Sequence, residues 1–197
     1  MKNSVSSPDQ PHSVCPWWLG YLLASPVRRI FQQPAQVLAG HVREGMTVLE
    51  PGPGMGFFTL EMARRVGPSG RVIAVDVRPR MLEEVRRRAA KAGVLDRLDA
   101  RLAAPDSMGL ADVTGLVDFT LAFAVVHELP SAAGFFREVA RASKPGARLL
   151  LAEPAGHVTA SHFDAEVQAA RDARFRLLEP PSVRRSRTAL LERVTAP

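Results

Sequence analysis

Apolar residues recur along this chain in two alternating rhythms. The short runs "TVLE" (47–50), "RVIAVD" (71–76) and "VDFTLAF" (117–123) are rich in β-branched and aromatic residues and predict buried strands. Between the first two, "FFTLEMARRV" (57–66) places Phe58, Met62 and Val66 one turn apart, the stripe of a helix that Gly67 and Pro68 end. A second helix, "PRMLEEVRRRAAKA" (79–92), is opened by Pro79 and closed at Gly93, with Leu82, Val85, Ala89 and Ala92 on its buried face. "RLDARL" (97–102) is a weaker third strand. Ser131 is placed to cap a helix through "AAGFFREVARAS", "KPGA" (144–147) reads as a tight turn, and "RLLLAE" (148–153) as strand five. Ser161 is the expected cap of a further helix running to about Ala173, and "FRLLE" (175–179) and "TALLERV" (188–194) read as two closing strands.

Short apolar strands alternating with amphipathic helices imply an α/β fold, with a parallel sheet covered on both faces. The last two strands have a short connection without a helix, so they are expected to pair antiparallel. Ahead of the first strand, residues 1–13 are rich in Ser, Pro and Gln and read as disordered. Residues 14–42 read as short helices broken by Pro26 and Pro34, with 43–197 forming the main domain.

Composition narrows the class. At 197 residues and 46% hydrophobic, the chain is long enough for one real core. A lone cysteine, Cys15, excludes an internal disulfide, and the histidines show no structural zinc spacing, so no metal is expected. "WWLGYLL" is too short to span a bilayer, and the polar N-terminus lacks a signal pattern, so a cytoplasmic protein is expected. The net charge of +6 raises the question of an anionic partner, but the arginines are scattered and "RRR" at 86–88 lies beside a helical stripe. A solvated face is the better reading, which weighs against nucleic acid.

The chemistry is concentrated in "VLEPGPGMGFFTL" (48–60). Gly52, Gly54 and Gly56 alternate between a strand and a helix, and Glu50 ends the strand. In an open α/β sheet ligands bind at the carboxyl ends of the strands. Bare backbone there allows a sharp turn and a close approach. Asp76 ends the neighbouring strand, 20 residues after Gly56, where a carboxylate can accept hydrogen bonds from both hydroxyls of a ribose. A dinucleotide fingerprint is G-x-G-x-x-G, whereas this loop is G-x-G-x-G behind an acid. An acid repels a pyrophosphate but suits a sulfonium and an ammonium.

On "VLEPGPGMGFFT", "VIAVDVRPRML", "VDFTLAFAVVHELP" and "FFREVARASKPGARLLLAEP", the chain resembles the class I S-adenosylmethionine (SAM) methyltransferases of the small-molecule, ubiquinone-biosynthesis-like type. The likeness implies a Rossmann-like sandwich whose seven-stranded, mostly parallel sheet has order 3-2-1-4-5-7-6 and ends in an antiparallel hairpin. It implies SAM as cofactor, S-adenosylhomocysteine as product, a small-molecule acceptor, and a lid-like N-terminal segment. Residue by residue, Glu50, Gly52, Gly54 and Gly56 would shape the methionine pocket. Asp76 would hold the ribose, Val77 would pack on the adenine, and Ala122 and Phe123 would border the sulfonium. The acid usual after strand three is replaced by alanines in "LAAPDS", with Asp106 as substitute. Pro51 and Pro53 remove two amide donors from the loop.

Methyl transfer requires alignment, exclusion of water, and a base only where the acceptor loses a proton. His127 and Glu153 are the candidate catalytic residues, with Glu128 and His157 beside them; the competing reading of His127 is a loop-satisfying side chain. Trp17, Trp18 and Tyr21 are candidates for a lid, or for packing on the sheet edge. A single cysteine argues against arsenic methylation. Rival readings are an RNA or DNA methyltransferase, although "AFAVVHE" stands where an N-P-P-[YF]-type motif is expected, a catalytically silent SAM-binding protein, and an NAD-dependent oxidoreductase.

Overall fold

The computed structural model describes residues 33–104 and 106–195. The proposed disorder of 1–13, the Trp17–Trp18–Tyr21 lid and Cys15 lie outside the described residues. Within them, β1 (Thr47–Pro51), β2 (Arg71–Asp76), β3 (Leu98–Leu102), β4 (Val117–Phe123), β5 (Ser143–Pro154), β6 (Phe175–Leu178) and β7 (Ser186–Arg193) form one sheet of order β3-β2-β1-β4-β5-β7-β6. This is the expected order. β1 to β5 run parallel, and β7 pairs antiparallel with both β5 and β6. The helices are α1 (Pro34–Val37), α2 (Thr59–Val66), α3 (Pro79–Lys91), α4 (Ala132–Ala142) and α5 (Ala160–Asp172). Among the described residues no helix is long and apolar enough to cross a membrane.

The period-two alternation of the strands divides the core into two layers. Leu49, Ile73, Leu149, Leu151 and Leu191 pack with Phe135, Phe136 and Val139 of α4 and Phe163 of α5. Val48, Val72, Phe119, Leu121 and Leu150 pack on the other face with Phe58, Met62 and Val66. The interiors of β1 and β2 are apolar on both sides, so a polar side chain at their ends is held among buried neighbours.

Several boundaries differ from the sequence expectation. α2 begins at Thr59 because the glycine loop keeps turning through Phe58. α5 is capped by Thr159, whose Oγ1 accepts from the His162 amide at 3.2 Å; Ser161 lies one residue inside the helix. Ser131 caps α4 as expected, accepting from Gly134 N at 3.0 Å. "KPGA" is an irregularity inside β5 rather than a turn before it: Val117 pairs with Ser143, and the ladder resumes two residues later in β4 at Phe119 with Arg148.

Candidate active site

The carboxyl ends of β1, β2, β4 and β5 converge on a cavity of about 660 Å³, within the range of small-ligand sites. Gly52, Asp76, Val77, Asp106 and His127 all line it, together with Arg78, Glu128 and His157. Glu50, Gly54, Gly56, Ala122, Phe123 and Glu153 do not line it. Glu50 shares the β1 face of Val48, which directs its carboxylate toward α2, and Oε2 accepts from Thr59 Oγ1 at 2.5 Å. Ala122 is fully buried, and the Phe123 ring packs 4.7 Å from that of Phe58.

The glycine loop is held by its own amides. Gly52 N–H donates to Val75 O and Gly56 N–H to Pro53 O, each at 2.9 Å. Gly52 and Gly54 adopt φ of +66° and +53°, the left-handed region that glycine enters without strain. Their surroundings differ. A side chain on Gly52 would meet Val125 Cγ2 at 2.8 Å, whereas one on Gly54 would meet nothing within 4 Å. Val125 reaches the loop because Ala124, itself left-handed at φ +53°, swings the chain back after β4.

Asp76 is 5% exposed. Its Oδ1 accepts from the Arg78 amide at 2.9 Å and from Arg78 Nε at 3.4 Å, while Oδ2 is buried with no hydrogen-bond partner. Burial raises its pKa, against the pull of the Arg78 bonds. A buried carboxylate oxygen without a partner is costly. A diol in the cavity would satisfy it, so the residues present fit the ribose of SAM. Val77 beside it is 57% exposed, an apolar surface suited to an adenine ring. The segment carrying Asp106 is anchored by Glu138, whose oxygens accept from Met108 N and Ser107 Oγ.

At the other wall, His127 stands on the short helical turn Val126–Glu128. Leu149, Leu151 and Glu153 lie on one face of β5, so the Glu153 carboxylate follows the core side chains inward and is wholly buried. Its Oε1 accepts from Val126 N at 2.8 Å and from Val125 N at 3.3 Å, and its Oε2 is 2.5 Å from His127 Nδ1. That contact fixes the Nδ1–H tautomer and leaves Nε2 as the second ring nitrogen. The bond to Glu153 is the main cause of a raised His127 pKa, with burial opposing it and the charges of Glu153, Glu128 and Glu166 adding to it. The His157 ring meets His127 edge-on, centroids 5.2 Å apart.

Sequence reasoning did not single out Arg78, Val125, Glu138 or Glu166. Glu166 had a visible signal: it occupies the buried stripe of α5 between Phe163 and Ala170, where an aliphatic residue is expected.

The comparisons with known proteins agree with this architecture. A "Ubiquinone/menaquinone biosynthesis C-methyltransferase" of Pasteurella multocida is 30% identical over 132 residues, 67% of this chain and 48% of the relative. An "Arsenite methyltransferase" of Halobacterium salinarum is 32% identical over 109 residues, 55% of this chain and 27% of the relative. The chain thus spans about half or less of the curated relatives it matches. The crystal structure of a SAM-dependent methyltransferase from Aquifex aeolicus superposes with a TM-score of 0.77 at 24% identity, covering 91% of this chain and 98% of that one. The family described as "Methyltransferase domain" matches residues 42–179, from the approach to the glycine loop through β6. With that match across the cavity and the strand order around it, the chain belongs to the methyltransferase-domain family.

Proposed function

We propose that this protein transfers the methyl group of SAM to a small-molecule acceptor, with His127 taking the proton that the acceptor gives up. The observation that carries the reading is the cavity with two chemically different walls. One presents the unpartnered Asp76 Oδ2 and the exposed Val77; the other presents His127 backed by Glu153. When bound, SAM supplies a methyl carbon on a positively charged sulfur, already activated for displacement. The chain's own work is alignment and proton handling. Asp76 holds the ribose hydroxyls and Val77 supports the adenine, with Asp106 at the same edge. Glu50 fixes the start of α2 through Thr59 and so sets the shape of the loop between them. His127 receives the acceptor's proton at Nε2. Glu153 keeps the ring oriented and stabilises the imidazolium that forms, which makes the imidazole a stronger base.

A small acceptor is favoured over nucleic acid by how the arginines are used. Arg65, Arg88 and Arg97 donate to the carbonyls of Ala35, Met55 and Ala63, and Arg101 is clamped between Asp99 and Asp112. Such cations serve the fold rather than a phosphate backbone. A cytoplasmic location goes with this reading, supported by the use of one cysteine in 197 residues.

Calorimetric titration with SAM, S-adenosylhomocysteine and NAD, beside Asp76→Ala, tests the cofactor. Micromolar binding of both adenosyl ligands, lost in the variant, is the expected result. NAD binding without SAM binding would overturn the reading. Binding of SAM without turnover on any acceptor in a hydroxyl, amine and carbon-acid panel would favour the silent SAM-binding alternative.

A further inference from the structure

We propose that Glu138 is a positioning residue for cofactor selectivity: by tying the turn that carries Asp106 to α4, it makes the cavity prefer adenine to a purine that lacks the exocyclic amine. The proposal rests on the reading of the cavity as a SAM site and names how the base is recognised there.

The turn follows β3. Ala103 N donates to Asp76 O at 3.0 Å, so the chain leaves the sheet beside the carboxylate that would hold the ribose. It then folds on itself: Ala104 N donates to Ser107 O at 2.9 Å, and Ser107 N to Ala104 O at 3.4 Å. Ala104, Asp106, Ser107, Met108 and Glu138 all line the cavity. β3 and its exit lie on the outer side of β2. With the ribose at Asp76 and the base on Val77, the far edge of the base therefore reaches toward this turn.

Most polar groups of the turn are already in use. Met108 N donates to both Glu138 oxygens at 3.0 Å. Ser107 Oγ donates to Glu138 Oε1 at 2.8 Å and accepts from Gly109 N at 3.0 Å. Asp106 is different: it is exposed on the cavity and makes no hydrogen bond or ion pair among the described residues. A carboxylate only accepts hydrogen bonds, and the exocyclic amine of adenine donates them. Asp106 thus matches adenine and has no partner on an unsubstituted purine.

The ends of the segment are fixed by the sheet at Ala103 and by the core at Leu110. Its middle is fixed by Glu138. The support is firm, since Phe135, Phe136 and Val139 bury the same helix in the core and Ser131 caps it. Without the Glu138 carboxylate, Ser107 and Met108 lose their tie to α4, and Asp106 is free to turn toward water.

The test is calorimetric titration of the full chain with S-adenosylhomocysteine and with its analogue bearing hydrogen in place of the exocyclic amine. The wild type is expected to prefer the adenine compound about fivefold, the worth of one partly solvated hydrogen bond. Glu138→Ala should bring that preference below about twofold by weakening the adenine compound alone. Glu138→Gln should keep most of it, because one oxygen can still accept from both Ser107 Oγ and Met108 N, as Oε1 does in the wild type. Asp106→Ala should abolish the preference, and adding Glu138→Ala to it should remove nothing further. Ser107→Ala, which leaves α4 untouched, should lower the preference in part and carries the test if Glu138→Ala folds poorly. Equal weakening of both ligands in Glu138→Ala would show a mere structural prop and overturn the proposal, as would a preference that survives intact or is missing from the wild type. Failure of the wild type to bind either ligand would overturn the SAM reading itself, and the proposal with it, which is a different result from any of these.

Discussion

Gly52→Ala tests whether packing against Val125 dictates a glycine at the end of β1. Two costs fall on this substitution. The left-handed backbone at φ +66° penalises a side chain by about 1–2 kcal/mol. The new Cβ would also stand 2.8 Å from Val125 Cγ2 and 3.2 Å from Val125 Cβ. Valine is stiff at χ1, and because its Cβ is crowded as well, a rotamer change does not clear the clash. Val125 is held besides by its amide bond to Glu153 Oε1 at 3.3 Å and by core packing. Overpacking of this kind adds about 1–3 kcal/mol, so a total near 3 kcal/mol is expected. Urea unfolding followed by circular dichroism should show a lower midpoint with an unchanged slope. In the double variant with Val125→Ala the 2.8 Å contact is removed and only the tight 3.2 Å approach to Cβ remains, so the cycle should return a coupling of about 1–2 kcal/mol in the relieving direction. Gly54→Ala is the contrast. With nothing within 4 Å it carries only the backbone penalty, about 1–2 kcal/mol, and should show no coupling with Val125→Ala. An unchanged midpoint for Gly52→Ala, or strictly additive effects with Val125→Ala, would refute the argument that Val125 dictates this glycine.

Other outcomes follow from the same structure. The stability of the wild type should fall as pH rises from 4.5 to about 7, because folded Glu166 keeps its proton across that window while the unfolded chain releases it. Glu166→Gln should therefore gain on the wild type by about 2 kcal/mol between pH 5 and pH 8, allowing for screening; parallel pH–stability curves would contradict this. Glu153→Gln should bring the His127 midpoint down toward its ordinary value and reduce kcat more than KM, read by ring-nitrogen NMR and steady-state kinetics. Thr159→Ala should cost about 1 kcal/mol by thermal melting, whereas Ser161→Ala should stay within about 0.5 kcal/mol.

The strands and the places of Gly52 and Asp76 at their ends were legible in the sequence because local rules govern them, whereas the strand order came from the family resemblance. "TVLE" and "RVIAVD" carry buried apolar residues toward both faces, and Gly52 and Asp76 sit where those strands end. The wall that carries His127 was legible only in part. His127 and Glu153 were visible as residues after strands four and five, but their contact depends on the parallel register of β4 and β5 and on the backbone reversal at Ala124, which a linear pattern does not encode. The cap of α5 was placed two residues late because Thr159 and Ser161 are both acceptable capping residues, and the chain's exit from β5 decides between them. Glu166 was passed over because a glutamate in a helix normally faces solvent.

The place of β7 has a consequence for the order in which the protein assembles. β6 is made before β7, yet in the finished sheet it touches only β7, and β5 likewise takes β7 as its partner on that side. During synthesis, β6 therefore emerges with no ladder to join, and the outer edge of β5 stays open until residues 186–193 have left the ribosome. Before that moment the β3-β2-β1-β4-β5 half can form as a parallel unit, with unpaired backbone on β5 close to Glu153. The wall backed by Glu153 is thus the last part of the site to be closed off, and slow or interrupted synthesis past β6 would leave an exposed strand edge prone to pairing between nascent chains.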